Sequence, residues 1–220
     1  MSTRIKARRF EGGSTRPFED TVAAEEQATV YLDGEPHVLY ASPGGLEELA
    51  LGYAYTEQGF TEAWVSGAHV STTGREGWRH VAVPPCRRRS FSAAELVEAM
   101  GVLLSGSRLH RETGGIHMAG ALGAGGLTAR EDVSRHRAVD RVTGALLLRG
   151  LSPCGYALLV SSRITYTLAL KAARAGYPVL AGRGAVTSAA VEVAVGAGMG
   201  LLGFVRGGRA NIYSPAWIEL

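Results

Sequence analysis

Lysine is almost absent from this chain of 220 residues. Lys6 and Lys171 are the only lysines among 23 basic side chains, and all the others are arginine. With no lysine-rich run and only 7% aromatic residues, the sequence lacks a nucleic-acid-binding signature. Cysteine is just as scarce. Cys86 and Cys154 lie far apart and form no Cys-x-x-Cys pair, so neither a zinc site nor a disulfide framework is indicated. Long apolar runs are missing too. The longest, Val193 to Val205, is broken by glycine and too short to span a bilayer. Met1 to Phe10 is basic but no apolar core follows it, so it is not a secretory signal. The expectation is a soluble, cytoplasmic protein without internal repeats.

A hydrophobic content of 46% supports a real core, in one large domain or two small ones. Residues 1–20 are polar and aperiodic and read as a loose, flexible tail. Residues 21–86 read as a small α+β unit. Gln27 to Tyr40 is a hairpin around the Asp33-Gly34 turn signal. Leu46 to Gln58 has helical spacing at Leu49, Ala50, Tyr53 and Ala54. Trp64 to Val70 and Trp78 to Val83 read as two strands around Gly74.

Pro84-Pro85-Cys86-Arg87-Arg88-Arg89 disfavours regular structure and marks a boundary. Residues 87–220 then read as a larger α/β domain. Ser92-Ala93-Ala94-Glu95 is a capping-box pattern, with Leu96, Met100, Leu103 and Leu104 on one helical face. A hairpin covers Ile116 to Val133, and a helix follows through Leu146. From Ala157 onward the order is strand, helix, strand, helix, strand, which predicts parallel strands with right-handed crossovers.

Two clusters carry chemistry. The three parallel strands run into Ser161-Ser162-Arg163, Gly182-Arg183-Gly184 and Arg206-Gly207-Gly208-Arg209. Parallel order brings these loops to one sheet edge, where open α/β sheets bind ligands. Small residues there let backbone N–H groups approach an anion, and each loop adds an arginine fork. Thr187 and Ser188 add a helix N-terminus. The pattern points to a ligand with several phosphates. The second cluster is Glu131-Asp132-Val133-Ser134-Arg135-His136-Arg137-Ala138-Val139-Asp140. His136 and Asp140 share a helical face. The cluster reads either as an acid/base or ligand-contacting site centred on His136, or as a polar clamp in which Arg135 ties Glu131 or Asp132 and His136 caps. His117 reads as a structural strand residue, and Cys86 and Cys154 as loop residues.

Together these segments resemble the FdhD family of formate dehydrogenase accessory proteins. Thr113-Gly114-Gly115-Ile116-His117 is similar to the family's Thr-Gly-Gly-x-His. The stretch Glu131 to Asp140 is similar to Glu-Asp-Val-Gly-Arg-His-Asn-Ala-Val-Asp. Ser161-Ser162-Arg163, Thr187-Ser188 with Glu192, and Gly203 to Tyr213 resemble its later blocks. The resemblance implies a cytidine-deaminase-like α/β domain with a smaller N-terminal α+β domain, assembled as a homodimer. It implies a sulfur relay in which a cysteine desulfurase passes sulfur to this chain. The chain then passes it to a bis-molybdopterin guanine dinucleotide cofactor, a ligand with GDP-like ends, before that enters formate dehydrogenase or a related molybdoenzyme. The cofactor-binding segment corresponds to Phe204, Val205, Arg206, Gly207, Gly208 and Arg209, beside Ser162, Arg163, Arg183 and His136. The family's Cys-x-x-Cys loop is missing here, which leaves Cys86 as the one candidate carrier. The alternative is a non-catalytic cofactor-binding chaperone. Ser134 and Arg137 stand where the family has Gly and Asn.

Overall fold

The structure, a computed structural model, describes residues 2–220. It opens with a hairpin of β1 (Ser2–Glu11) and β2 (Ser14–Ala23). The stretch expected as a loose tail therefore has regular pairing along its length. The expectation failed because these strands bury little and alternate weakly, so their pairing leaves no hydrophobic period to detect.

A five-stranded sheet follows, ordered β4-β3-β6-β5-β7. Its strands are β3 (Glu26–Leu32), β4 (Glu35–Ala41), β5 (Glu62–Ser66), β6 (His69–Ser71) and β7 (Arg79–Ala82). Asp33 and Gly34 both take positive φ, the I′ turn expected between β3 and β4. The single strand expected over Trp64 to Val70 is instead two short antiparallel strands turning at Gly67. Helix α1 (Leu46–Gln58) packs on this sheet through Leu49, Ala50, Leu51 and Ala54.

The larger sheet has six strands, ordered β10-β9-β11-β12-β13-β14. These are β9 (His117–Gly123), β10 (Gly126–Asp132), β11 (Ala157–Val160), β12 (Val179–Gly182), β13 (Gly200–Arg206) and β14 (Arg209–Ser214). Strands β11, β12 and β13 are parallel, joined by α5 (Tyr166–Arg174) and α6 (Ser188–Gly196). The central strands are buried on both faces, and side-chain alternation divides them between two cores. Leu158, Val160, Leu180 and Leu201 face α5, α6 and α4 (Arg135–Leu147). Ala157, Leu159, Ala181 and Leu202 face α2 (Ala93–Gly106). Helix α2 starts as its capping box requires, with Ser92 Oγ accepting from the Glu95 N–H at 3.0 Å. A short α3 (Arg108–Thr113) follows a break at Ser107. The small sheet of β8 (Phe91–Ser92) and β15 (Ile218–Glu219) closes the far side. Among the described residues no helix is long and apolar enough to cross a membrane.

Helices α1 and α4 join the two sheets at close range. Gly52 on α1 meets the Asp140 backbone, and Gly144 on α4 meets the Glu48 backbone. Close packing of these helices fixes where the first turn of α4, which carries His136, sits relative to α1.

Candidate functional site

Strands β11, β12 and β13 end at one sheet edge. Antiparallel β9 begins there and β10 finishes there, because Val160 pairs with Ala119 and Asp132 with His117. The edge therefore collects both clusters singled out in the sequence. Backbone hydrogen bonds tie its loops together: Ser161 N–H to Met118 O, Arg183 N–H to Val160 O, Gly184 N–H to Ser162 O and Phe204 N–H to Gly184 O, at 2.9 to 3.3 Å.

Arg163, Arg183, Arg206 and Arg209 are all exposed. Among the described residues none of them forms an ion pair. Arg206 and Arg209 pair directly across a two-residue turn in which Gly207 and Gly208 both have positive φ. The third loop is thus a tight type I′ hairpin into an extra edge strand, β14, and not the open anion-cradling loop expected. Its glycines are required by the turn, while its arginines are carried outward at the tip. Phe204 has φ of 53° beside a register shift, an unusual backbone state for a large residue. The Arg206 guanidinium lies 5.7 Å from the Phe204 ring centre.

Two of the expected contact residues face inward. Val205 is wholly buried in the α2 core, and the buried Ser162 hydroxyl donates to the Arg163 carbonyl at 2.9 Å. These side chains shape the edge from below.

The Glu131–Asp140 cluster resolves around two buried carboxylates, Asp132 and Asp140, whose closest cations, Arg141 and Lys171, lie outside the stretch. Asp132 is paired to Arg141, Nε to Oδ2 at 2.7 Å, and also accepts from the Ser42 and Ser134 N–H groups. Arg141 further donates to the Ser42, Gly44 and Gly45 carbonyls. A clamp exists, but Arg141 makes it and Arg135 does not. Asp140 takes Lys171 Nζ at 2.7 Å and Thr56 Oγ1 at 2.9 Å, with Arg137 Nη1 3.0 Å from its second oxygen. Lys171 also donates to Glu57 at 2.8 Å. A lysine 31 residues further along the chain, on α5, was invisible as a partner from spacing within one helix.

His136 lines a cleft of 320 Å³ with Thr56, Glu57, Arg137, Lys171 and Arg174. Burial, then the nearby Arg135, Lys171 and Arg137 cations, push its pKa down to about 4. Burial and Arg135 lower His117 as well. His136 is therefore neutral at pH 7, so it can donate one hydrogen bond and accept another but does not add charge to an anion site. One consequence concerns stability. In the window from about pH 6.5 down to about pH 4, the unfolded chain binds a proton at His136 that the folded chain refuses, so stability falls on acidification. Urea midpoints across that window should fall less steeply in His136→Gln than in wild type. Parallel slopes would show that the imidazole is not held neutral.

Cys86 is bonded to Cys154 across Cα atoms 5.6 Å apart. The expectation of two unconnected loop cysteines is corrected: Cys86, expected as the candidate carrier, has Cys154 as its partner. Position in the chain hides this pairing, because the bridge joins the segment between β7 and β8 to the 3-10 turn Pro153–Gly155. That turn precedes β11, so the bridge sits at the sheet edge opposite the arginines. β11 alone separates the two edges by about 10 Å.

A family model described as FdhD/NarQ family matches residues 61–217. The chain is 30% identical to the Sulfur carrier protein FdhD of Sulfolobus acidocaldarius, over 99% of this chain and 98% of that protein. It is also 30% identical to the protein of the same name from Nocardia farcinica, over 98% and 95%. The Sulfolobus alignment extends over 249 positions against 220 residues here, so that relative has residues with no counterpart in this chain. A crystal structure from Desulfotalea psychrophila, described as that of a formate dehydrogenase accessory protein, superposes with a TM-score of 0.82 at 25% identity, covering 99% of both chains. With the family match covering most of its length and full-length relatives of the same fold, the chain belongs to the FdhD/NarQ family.

Proposed function

We propose that this chain serves the maturation of formate dehydrogenase or a related molybdoenzyme by binding the guanine-dinucleotide molybdenum cofactor at the arginine edge. The observation that carries this reading is the set of four exposed arginines without ion-pair partners, delivered by three strand ends to one edge. Unneutralised guanidinium groups at such density attract a multiply charged anion, and their forks match phosphate oxygens. Phe204 offers a partly exposed ring face beside them for a purine. The finer fold reading, a cytidine-deaminase-like domain with a smaller N-terminal partner domain, is consistent with the mixed sheet flanked by helices. A homodimer working in the cytoplasm with a cysteine desulfurase completes the reading.

Two versions differ in whether sulfur passes directly to the bound cofactor. The names of the relatives favour sulfur transfer. The separation of the Cys86–Cys154 pair from the arginine edge favours a cofactor-binding chaperone that makes no direct hand-over within one protomer.

Titration with GDP by calorimetry tests the binding site. Wild type should bind with measurable heat, and Arg206→Ala and Arg209→Ala should each weaken binding by about tenfold, the loss of one charge-assisted contact. No heat with wild type, or full affinity in both variants, would remove this edge as the nucleotide site.

A further inference from the structure

Two surfaces of this chain lack a cover, and their properties match. The first is the β1–β2 hairpin. Ten paired residues make it about 33 Å long. It packs on the rest of the chain at its base, where Ala23 lies against Gly115 beside α3. A two-stranded ribbon standing alone in water is marginal at best. Its register puts Ile5, Ala7, Phe18 and Val22 on one face, and Ile5 is 49% exposed there. The hairpin is also basic. Arg4, Lys6, Arg8, Arg9 and Arg16 stand against three carboxylates. Among the described residues the first four of these cations form no ion pair. The second surface is the outer face of the five-stranded sheet. The inner face packs on α1, while register gathers Tyr31, Val38, Tyr40 and Trp64 on the outer one. Val38 is 56% exposed and Tyr40 60%. A one-sided antiparallel sheet normally turns polar residues to water, so an apolar and aromatic row there marks a contact surface. This unit is acidic. Residues 24–83 hold nine carboxylates against two arginines, and Glu26, Glu35 and Glu62 are exposed on the sheet.

We propose that the hairpin is an exchanged arm: its Ile5–Phe18 face packs across the outer face of the small sheet in a second copy of this chain, which returns its own arm. This rests on the homodimer in the reading above, not on the nucleotide site, and names the surfaces that would hold it together. Charge and apolar area select the occupant. The basic arm needs an acidic surface with an apolar centre, and the small sheet of this same chain is one. Within one copy the arm stands clear of that sheet, because the Ile5 face stays exposed. A second copy supplies both halves, and a two-fold axis covers both arms and both sheets at once. The arm alone spans Ser2–Ala23, which with the sheet face supplies the about 20–30 residues a side of a stable interface. Hairpin on sheet is ordinary face-to-face packing at about 10 Å. Tyr40 and Trp64 are the large anchors of the contact, and the arginines of the arm meet the carboxylates at its rim.

Sedimentation of the full chain over a concentration series tests this. Wild type should run as a dimer. Ile5→Glu on the arm and Val38→Glu on the sheet should each raise the dimer dissociation constant at least about tenfold, since each puts a charge into the apolar contact. Both positions are exposed within one copy, so the far-ultraviolet circular dichroism of the variants should match wild type. Tyr40→Glu repeats the sheet half of the test at the next outward position of β4. Mixing Ile5→Glu with Val38→Glu should restore part of the affinity. The mixed dimer keeps one unaltered arm on one unaltered sheet, whereas each variant by itself has two altered contacts. Pairing of arm with arm, or of sheet with sheet, predicts instead that one of the two variants dimerises like wild type. That result, or no rescue on mixing, overturns the exchanged arm and leaves the homodimer standing. A wild type that stays monomeric up to its highest soluble concentration removes the homodimer as well.

Discussion

Replacing Gly52 or Gly144 by alanine should cost about 3 kcal/mol of stability, among the largest effects of adding one methyl group anywhere in this chain. A Cβ at Gly52 would overlap the Asp140 carbonyl oxygen and also approach the Gly144 N–H; a Cβ at Gly144 would overlap the Glu48 carbonyl oxygen. The obstacles are backbone atoms of a facing helix, so no rotamer change relieves them. Relief requires moving α1 away from α4, which opens the core that Leu147 shares with Leu49 and Leu51. The double variant should cost clearly less than the sum, since the first methyl already separates the helices that the second would push apart. Gly101→Ala is the control. Gly101 sits on α2 with nothing near its Cβ position, so alanine there should stabilise by about 0.5–1 kcal/mol through helix propensity. Urea melts of the four variants test all of this at once. Destabilisation of similar size at Gly101 would show that the effect is not the close approach of α1 and α4.

The contrast between these glycines also shows what a single sequence can reveal. Elements set by local chemistry were legible. The Asp33-Gly34 turn, the Ser92–Glu95 cap and the end of α5 before Gly176 each depend on residues within one turn of each other. The parallel order of β11, β12 and β13 was legible too, because handedness and connection length leave few alternatives. Features that depend on distant partners were not. Nothing near Gly52 says that it faces Asp140, and nothing near Cys86 says that Cys154 lies 5.6 Å away. Strand β14 was missed because the sequence Arg206 to Arg209 reads equally as a ligand loop or a hairpin turn, and pairing with β13 decides between them. At the candidate site the same division holds. The arginine edge followed from topology, but the split of the Glu131–Asp140 cluster between Arg141 and Lys171 required the packing of α4 against the Ser42 loop and α5.

That packing leads to the second large effect. Asp140 is fully buried and Lys171 is 5% exposed, so water solvates neither charge and each is the other's close partner, at 2.7 Å. Asp140→Ala should cost about 3–5 kcal/mol, because it leaves the Lys171 ammonium buried with only Thr56 and the exposed Glu57. Lys171→Met should cost a similar amount by leaving the Asp140 carboxylate with Thr56 and Arg137. The double variant Asp140→Leu with Lys171→Met should be more stable than either single one, since no buried charge is then left without its partner. Arg137 tolerates that loss. It is 16% exposed and lies over the Tyr53 ring at 4.9 Å, with a route to solvent through the cleft. A double variant as unstable as the sum of the singles would mean that the methylene contacts, and not the charges, hold this junction. The same substitution reports on the cleft. Lys171 is one of the cations holding His136 neutral, so Lys171→Met should raise the His136 pKa above its value of about 4, readable from imidazole proton shifts in a pH titration. Lys171, which ties α5 to α4, would then also add to the burial and the Arg135 charge that keep the imidazole uncharged, which links the helix junction to the electrostatics of the site.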